Sequence, residues 1–288
     1  MHAHRPTRGR GFTLTEVMVV ISIIAVIAAL VVLTMKPAVM KARATKCANN
    51  QRQIVLGCLS YAADNKTYLP SPRTDQGGQG YRYTQCVPMV KTNYTVTWPW
   101  VAAYGANVAG NKEKTTAITN GKIWPYIGSL DVFKSPLDPE NRLRSYSLSA
   151  FVGVSHPDEL ADYDYFASSL GIPLCSFNTV TMSRVKQPSK TIYCLGEDDS
   201  VGPNNQGWII SVVTSKWVDW PATWDPRNFP LAYCDGSFET YSFVKPGIEN
   251  SWDTFGHNWT EPPVNGVAQD WVWFKNRMLP GVIPFTGL

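Results

Sequence analysis

Glu16 is the only charged residue between Arg10 and Lys36. It lies in "GRGFTLTEVMVVISIIAVIAALVV", Gly9 to Val32, near the start of an otherwise apolar run. An ionisable side chain there is costly, about 2.5–3.5 kcal/mol near a bilayer centre, and normally has a partner. The chemistry open to it is charge pairing, or simple solvation at the headgroup level close to the end of the run. Other chemistry-bearing residues are sparse. The four histidines, His2, His4, His156 and His257, sit in no nucleophile or metal motif, and there is neither a G-x-S-x-G nor a P-loop. Catalysis by this chain is not expected. The six cysteines are Cys47, Cys58, Cys86, Cys175, Cys194 and Cys234. None forms a CxxC pair, which argues against a zinc ribbon or a thioredoxin-type site. An even count permits disulfides, but the residues alone choose none; buried thiols are the plainer alternative. Glu197, Asp198 and Asp199 form an acidic loop that Asp225 and Asp235 would approach if the strands pair. Such oxygens suit a hard cation, although a solvated turn uses the same residues.

The elements that hold these residues start with the apolar run. Phe12 to Met35 is 24 residues, and from Val17 to Leu33 the only polar residue is Ser22. At about 1.5 Å per residue this crosses a hydrocarbon core of about 30 Å. Arg5, Arg8 and Arg10 precede it; Lys36, Lys41, Arg43 and Lys46 follow it. The leader arginines favour a cytoplasmic N-terminus, and the later cations compete with them. These seven cations outweigh the net charge of +4, so the rest of the chain is slightly acidic. A nucleic-acid surface is not expected there. A secretory signal peptide explains the basic leader but not the length of the run. A plain signal anchor explains all but Glu16 and the Gly11-Phe12 junction.

"GFTLTEVMVVISIIAVIAAL" closely resembles the N-terminus of type IV pilins and of the pseudopilins of type II secretion systems. The resemblance implies that a prepilin peptidase/methylase cuts between Gly11 and Phe12 and methylates the new Phe12 amine. It implies that Glu16 pairs with the N-terminal amine of a neighbouring subunit during assembly. Both charges would then be neutralised in an apolar filament core. It also implies a single-pass inner-membrane protein with its head in the periplasm, or on the cell surface after assembly. The partners are other pilin or pseudopilin subunits, the working part is structural, and no cofactor is required.

Beyond the membrane run, Met40, Ala44, Cys47, Ile54, Cys58 and Tyr61 recur at helical spacing. Gln51 interrupts this stripe, and Asn49, Asn50, Arg52 and Gln53 fall off it. Pro37 predicts a kink. One helix is expected from about Thr13 to Asp64, closed by Asn65 and Pro70. Cys47 and Cys58 are about 16 Å apart along it and cannot bond to each other. After Pro70 short β-prone stretches alternate with turns. "TNYTVTWPWVAAY", "KTIYCLGE" and "GWIISVVTSKWV" read as strands, and "GKIWPYIGSLDVF" as a short helix or turn. "FPLAYCDGSFETYSF" reads as a hairpin with Asp235-Gly236 as a two-residue turn. The segment 138–189, punctuated by prolines, reads as loop-rich. The fold class is α+β and pilin-like: a long N-terminal helix packed on an antiparallel sheet. The chain divides into a cleaved leader (1–11), a transmembrane assembly helix (12–35), an amphipathic continuation (36–66) and a β-rich head (67–288).

"KCANNQRQIVLGCLSYAADNKTYLP", "IWPYIGSLDVFKSPLDP" and "LAYCDGSFE" resemble a subfamily of large pilin-like proteins with a "VFxCPxD"-like segment and a C-terminal H-x9-DG element. Ser135 stands where that pattern has cysteine, and Asp225 where it has histidine. Major pseudopilins of the wider family often hold structural Ca²⁺ in a C-terminal loop, which makes Asp198, Asp199 and Asp235 the metal candidates. The head also carries tryptophan groups: Trp98 with Trp100; Trp217, Trp220 and Trp224; Trp271 with Trp273. They are expected as core fillers. The alternative is a surface-displayed minor pilin or adhesin whose aromatic head binds a carbohydrate or protein.

Overall fold

A computed structural model describes residues 11–70, 115–140, 142–149, 151–153, 181–198, 207–208, 210, 219–244 and 268–278. The chain separates into two compact units, Met1–Ala42 and Arg43–Leu288. Helix α1, Leu14–Asp64, contributes residues to both.

In the first unit α1 is apolar and exposed throughout most of its described side chains. It is long and apolar enough to cross a membrane, by length and composition. The one polar residue of the run, Ser22, returns its hydroxyl to the Val19 carbonyl at 2.8 Å, so that side chain's donor is met within the helix. The helix is unbroken through Pro37.

The second unit is built on an antiparallel sheet. Its strands are β1 (Tyr146–Leu148), β2 (Ile192–Asp198), β3 (Trp220–Pro221), β4 (Phe229–Tyr233) and β5 (Phe238–Tyr241). The order is β1-β2-β4-β5, with β3 also pairing β2. In β4, Phe229, Leu231 and Tyr233 join Ile192, Leu195 and Tyr241 in one apolar core. A C-terminal helix, α4 (Ala268–Met278), completes that core with Trp271, Phe274 and Met278. Their spacing of three and four puts them on one helix face. Other sheet residues meet α1, where Cys58 lies beside Tyr193, Cys194 and Cys234. β2 carries one extra residue between Ile192 and Cys194, a bulge that shifts its register against β4.

Two short helices, α2 (Thr115–Thr119) and α3 (Trp124–Ile127), and a 3₁₀ turn at Leu130–Phe133 follow α1 in the chain. A Cβ on Gly57 of α1 would come within 2.9 Å of Ile127 Cγ1, so the bare backbone there lets α3 approach closely. α1 ends at Asp64 without glycine. Lys66 and Thr67 take φ of 55° and 68°, and the Thr67 amide donates to the Ala62 carbonyl at 2.8 Å.

The expected helix, the "KTIYCLGE" strand and the β4–β5 hairpin are all present. "GKIWPYIGSLDVF" is α3 and the 3₁₀ turn, with Phe133 buried and Trp124, Tyr126 and Ile127 half-buried or nearly so. Two elements are added to what the sequence suggests, and one expectation needs correction. The loop-rich segment contains β1, because three residues with serine at their centre carry no alternation strong enough to read. α4 lies where no element is expected. The hairpin turn is longer than two residues: Gly236 N donates to Tyr233 O, and Tyr233 N to Ser237 O. A two-residue type I′ turn needs positive φ at both central residues, and here only Gly236 adopts it, at 83°. A type I turn followed by a glycine bulge places the left-handed backbone on the residue that bears it without cost. "TNYTVTWPWVAAY" and most of "GWIISVVTSKWV" lie outside the described residues.

Candidate processing and assembly site

Gly11 and Phe12 precede α1 in non-helical chain, and both are exposed. Among the described residues a Cβ built on Gly11 would meet nothing within 4 Å, so their packing does not demand glycine there. Thr13 caps the helix, with its hydroxyl oxygen accepting from the Glu16 amide at 3.3 Å. Glu16 answers. Its Oε2 accepts from the Thr13 amide at 2.8 Å and from the Thr13 hydroxyl at 2.9 Å. This is a capping box, in which each side chain accepts from the other residue's orphan amide. A negative charge in the first turn also complements the helix dipole. Glu16 therefore has a partner within its own chain, on the residue that directly follows Phe12. The T-x-x-E spacing of Thr13 and Glu16 is a sequence signature of this motif. A reading of Glu16 only as a charge in lipid passes over it.

The other candidate residues are placed as follows. Cys47, Cys58, Cys194 and Cys234 are buried free thiols. Cys86, Cys175 and Asp199 lie outside the described residues. Burial pushes the Cys47 thiol up to about 11 and the Cys58 thiol up to about 12. Burial raises Cys194 and Cys234 as well. They behave as small core hydrophobes.

Asp198 and Asp235 are not brought together. In β2 and β4, Ile192 pairs with Tyr233 and Leu195 with Leu231. Asp235 thus follows the Ile192 end, while Asp198 closes the opposite end, about 20 Å away at strand rise. No single ion bridges them. Asp235 instead accepts from the Ser237 amide at 2.9 Å and the Ser237 hydroxyl at 2.6 Å. Asp225 accepts from the Arg227 amide and from Asn228 Nδ2. Among the described residues no group of three or more His, Cys, Asp or Glu is arranged around a common point.

The tryptophans that are described mainly fill space. Trp208, Trp220 and Trp271 are buried, while Trp224 and Trp273 are half-buried. Arg142 lies over the Trp224 ring and Arg277 over the Trp273 ring, at 5.5 and 3.9 Å. Trp98, Trp100 and Trp217 lie outside the described residues.

Polar residues that hydropathy patterning sets aside join α1 to the head. Asn50, off the apolar stripe by its spacing, is buried, and its Nδ2 donates to the carbonyls of Asp131 and Lys134 at 3.2 and 3.0 Å. Gln51, the interruption in that stripe, donates from Nε2 to the Pro230 carbonyl at 3.0 Å. Pro230 lies beyond the last β2–β4 pair, so its missing amide costs no bond of that ladder. The SPLDP segment is locked in the same way. Asp138 accepts from Arg142 Nε and from the Ser145 hydroxyl, each at 2.6 Å, and from the Glu140 amide at 2.9 Å. Farther along, Ser147 donates to buried Glu197, while burial lowers the Arg144 guanidinium to about 10 against the pull of that carboxylate. Buried charges persist only with such partners.

Both departures from the pilin-like pattern fall near one place. The Ser135 hydroxyl lies 3.4 Å from Cys47 Sγ, with the Tyr146 hydroxyl also donating to that sulfur at 3.2 Å. Cys47 and Asp225 line the same crevice.

Residues 7–32 match a prokaryotic N-terminal methylation motif, and residues 39–155 match a family described as a protein of unknown function (DUF1559). Together the two matches support a type IV pilin- or pseudopilin-like protein. It is a subunit of the kind processed by prepilin peptidase and assembled with other pilin subunits; these families are structural, not enzymatic. The methylation motif and the apolar N-terminal helix point to membrane anchoring through that helix. The second match ends before Asp225 and the DG turn, so the C-terminal likeness lies outside it. No curated protein and no solved structure matches the chain.

Proposed function

We propose that this chain is a structural subunit of a type IV pilus-like filament or secretion pseudopilus, matured by cleavage between Gly11 and Phe12 and methylation of Phe12. The observation that carries this is the Thr13–Glu16 capping box beside an exposed, non-helical Gly11-Phe12 bond. A peptidase needs its scissile bond in extended chain, and the cap stops the helix just short of it. Packing among the described residues gives Gly11 no reason to be glycine, which fits a side-chain-free residue required by the enzyme that acts on it. Before assembly the box satisfies the Glu16 carboxylate. On assembly the same oxygens turn to the methylated amine of a neighbour's Phe12, and two charges enter the filament core as a pair.

The head follows the anchor to the periplasmic side. Among the described tryptophans none is exposed, which favours the subunit reading over an aromatic binding platform.

Co-expression with a prepilin peptidase, followed by intact-mass and N-terminal analysis, tests the processing. The expected product starts at a methylated Phe12, and Gly11→Val abolishes it. Glu16→Gln is expected to insert in the membrane and be cleaved, yet to be absent from sheared filaments. Its normal incorporation would refute the pairing role. Loss of protein secretion without a surface fibre would assign the pseudopilus; a fibre seen by electron microscopy would assign the pilus.

A further inference from the structure

Helix α1 has a one-sided charge balance beyond its apolar run. Between Glu16 and Asp64 it holds no Asp or Glu, yet Lys36, Lys41, Arg43 and Lys46 follow the run in close succession. All four are exposed. Lys36, Arg43 and Lys46 form no ion pair among the described residues. The carboxylates that usually accompany cations on a solvated helix face are missing. A helix end that only had to meet water could use Ser, Asn or Gln. Cations carry a cost here, because they compete with Arg5, Arg8 and Arg10 in setting orientation. Spacings of five, two and three residues spread the four around the helix, with no gap wider than about 140°. A protein partner is met by one face. A ring of cations suits anions that surround the helix on every side.

We infer that these four residues form a collar that binds the phosphates of anionic phospholipids in the leaflet opposite the leader. The inference rests on the reading of α1 as a membrane span. The heights agree. The headgroup layer adds about 5–8 Å to each side of the hydrocarbon core. Lys36 directly follows Met35, the last residue of the apolar run, and Lys41 lies about 7.5 Å farther along, so both fall within that layer. Arg43 and Lys46 lie about 10 and 15 Å beyond Lys36, within about a Debye length of the layer's outer edge. Their long stems let the charged heads reach back to the phosphates. Arg52, about 24 Å out, is beyond that range. The collar holds the subunit in the bilayer, and extraction into a filament must strip those headgroups from it.

The test uses the full-length protein reconstituted in phosphatidylcholine vesicles that carry a minority of phosphatidylglycerol. Spin-labelled forms of the two lipids report which one occupies the shell around the helix. At low salt phosphatidylglycerol is expected to be preferred about threefold, with the preference falling towards parity at high salt. The combined variant Lys36→Gln, Lys41→Gln, Arg43→Gln and Lys46→Gln should lose most of that preference, although the leader arginines remain. The charge-keeping set Lys36→Arg, Lys41→Arg, Arg43→Lys and Lys46→Arg should retain it. No preference in the unaltered protein would overturn the inference. So would a preference undiminished in the glutamine variant, since the leader would then supply it. A glutamine variant with an unchanged lipid shell that drops out of sheared filaments would also overturn it, and would give the cations to acidic groups of a neighbouring subunit. If the combined variant does not fold, Lys36→Gln with Lys41→Gln and Arg43→Gln with Lys46→Gln are read as separate pairs, and each must lower the preference. Extraction of the protein from the vesicles by alkaline carbonate would refute the membrane span itself. Retention without lipid preference would refute the collar alone.

Discussion

At the scale of single residues, position 135 shows how a departure from a pattern can be read physically. The Ser135 hydroxyl sits 3.4 Å from Cys47 Sγ in a buried pocket where Tyr146 also donates. A thiol in place of that hydroxyl would point at the Cys47 sulfur from the same Cβ. Disulfide formation needs this kind of facing approach, with a sulfur–sulfur bond of about 2.05 Å closing the remaining gap. Ser135→Cys is therefore expected to form a disulfide between the introduced thiol and Cys47 when the protein is exported to an oxidising compartment. Stability should rise by about 2–4 kcal/mol. Peptide mapping without reduction would show the linked peptides. Their absence, with both thiols alkylatable after unfolding, would show that the side chains do not face each other. Glu16 teaches a related lesson. Its oddity is visible in sequence because one carboxylate stands in an apolar run. Its partner is visible too, three residues back, but only to a reading that asks how the helix begins.

At the scale of elements, the legible parts are those with long or stereotyped signals. α1 can be bounded within a residue, because a 51-residue helix repeats its pattern many times. The β4–β5 hairpin is announced by Asp235-Gly236. β1 is not legible, since its three residues are buried on account of what surrounds them. α4 is half legible. Trp271 and Trp273 stand out as a pair, although the helical spacing runs through Trp271, Phe274 and Met278. The hairpin supplies the prediction at this scale. Gly236 is in the left-handed region, and a Cβ there would meet Leu56 Cδ2 of α1 at 3.1 Å. Left-handed backbone costs a side-chain-bearing residue about 1–2 kcal/mol. The Leu56 methyl can swing away, since that side chain is exposed. Gly236→Ala should thus destabilise the protein by about 1–2 kcal/mol, read as a fall in the urea midpoint at unchanged slope. An unchanged midpoint would mean that the turn is not held as described.

At the scale of the whole molecule, hydropathy separates an apolar anchor from a mixed head but does not reveal what joins α1 to the sheet. That joint is polar. Asn50 and Gln51 reach carbonyls from 81 to 179 residues away, and no local pattern encodes a partner at such separation. The apolar side of the same joint supplies a pH dependence. Cys47 and Cys58 ionise in the unfolded chain near pH 9 but in the folded one only near about 11 and about 12. Between those values the native state holds protons that the unfolded state has released, so unfolding becomes easier as pH rises. Burial raises Cys194, Cys234, Tyr146 and Tyr193 as well, and they act in the same direction. Burial moves Arg144 in the opposite direction, but it is one group against several, so the net sign stands. Thermal melts of the full-length protein in detergent should show a Tm that is flat from neutrality to about pH 9 and then falls. Cys58→Ala should flatten part of that fall while costing stability at neutral pH, because it leaves a cavity beside Tyr193. A Tm that held level through alkaline pH would show that these thiols are not sealed between α1 and the sheet.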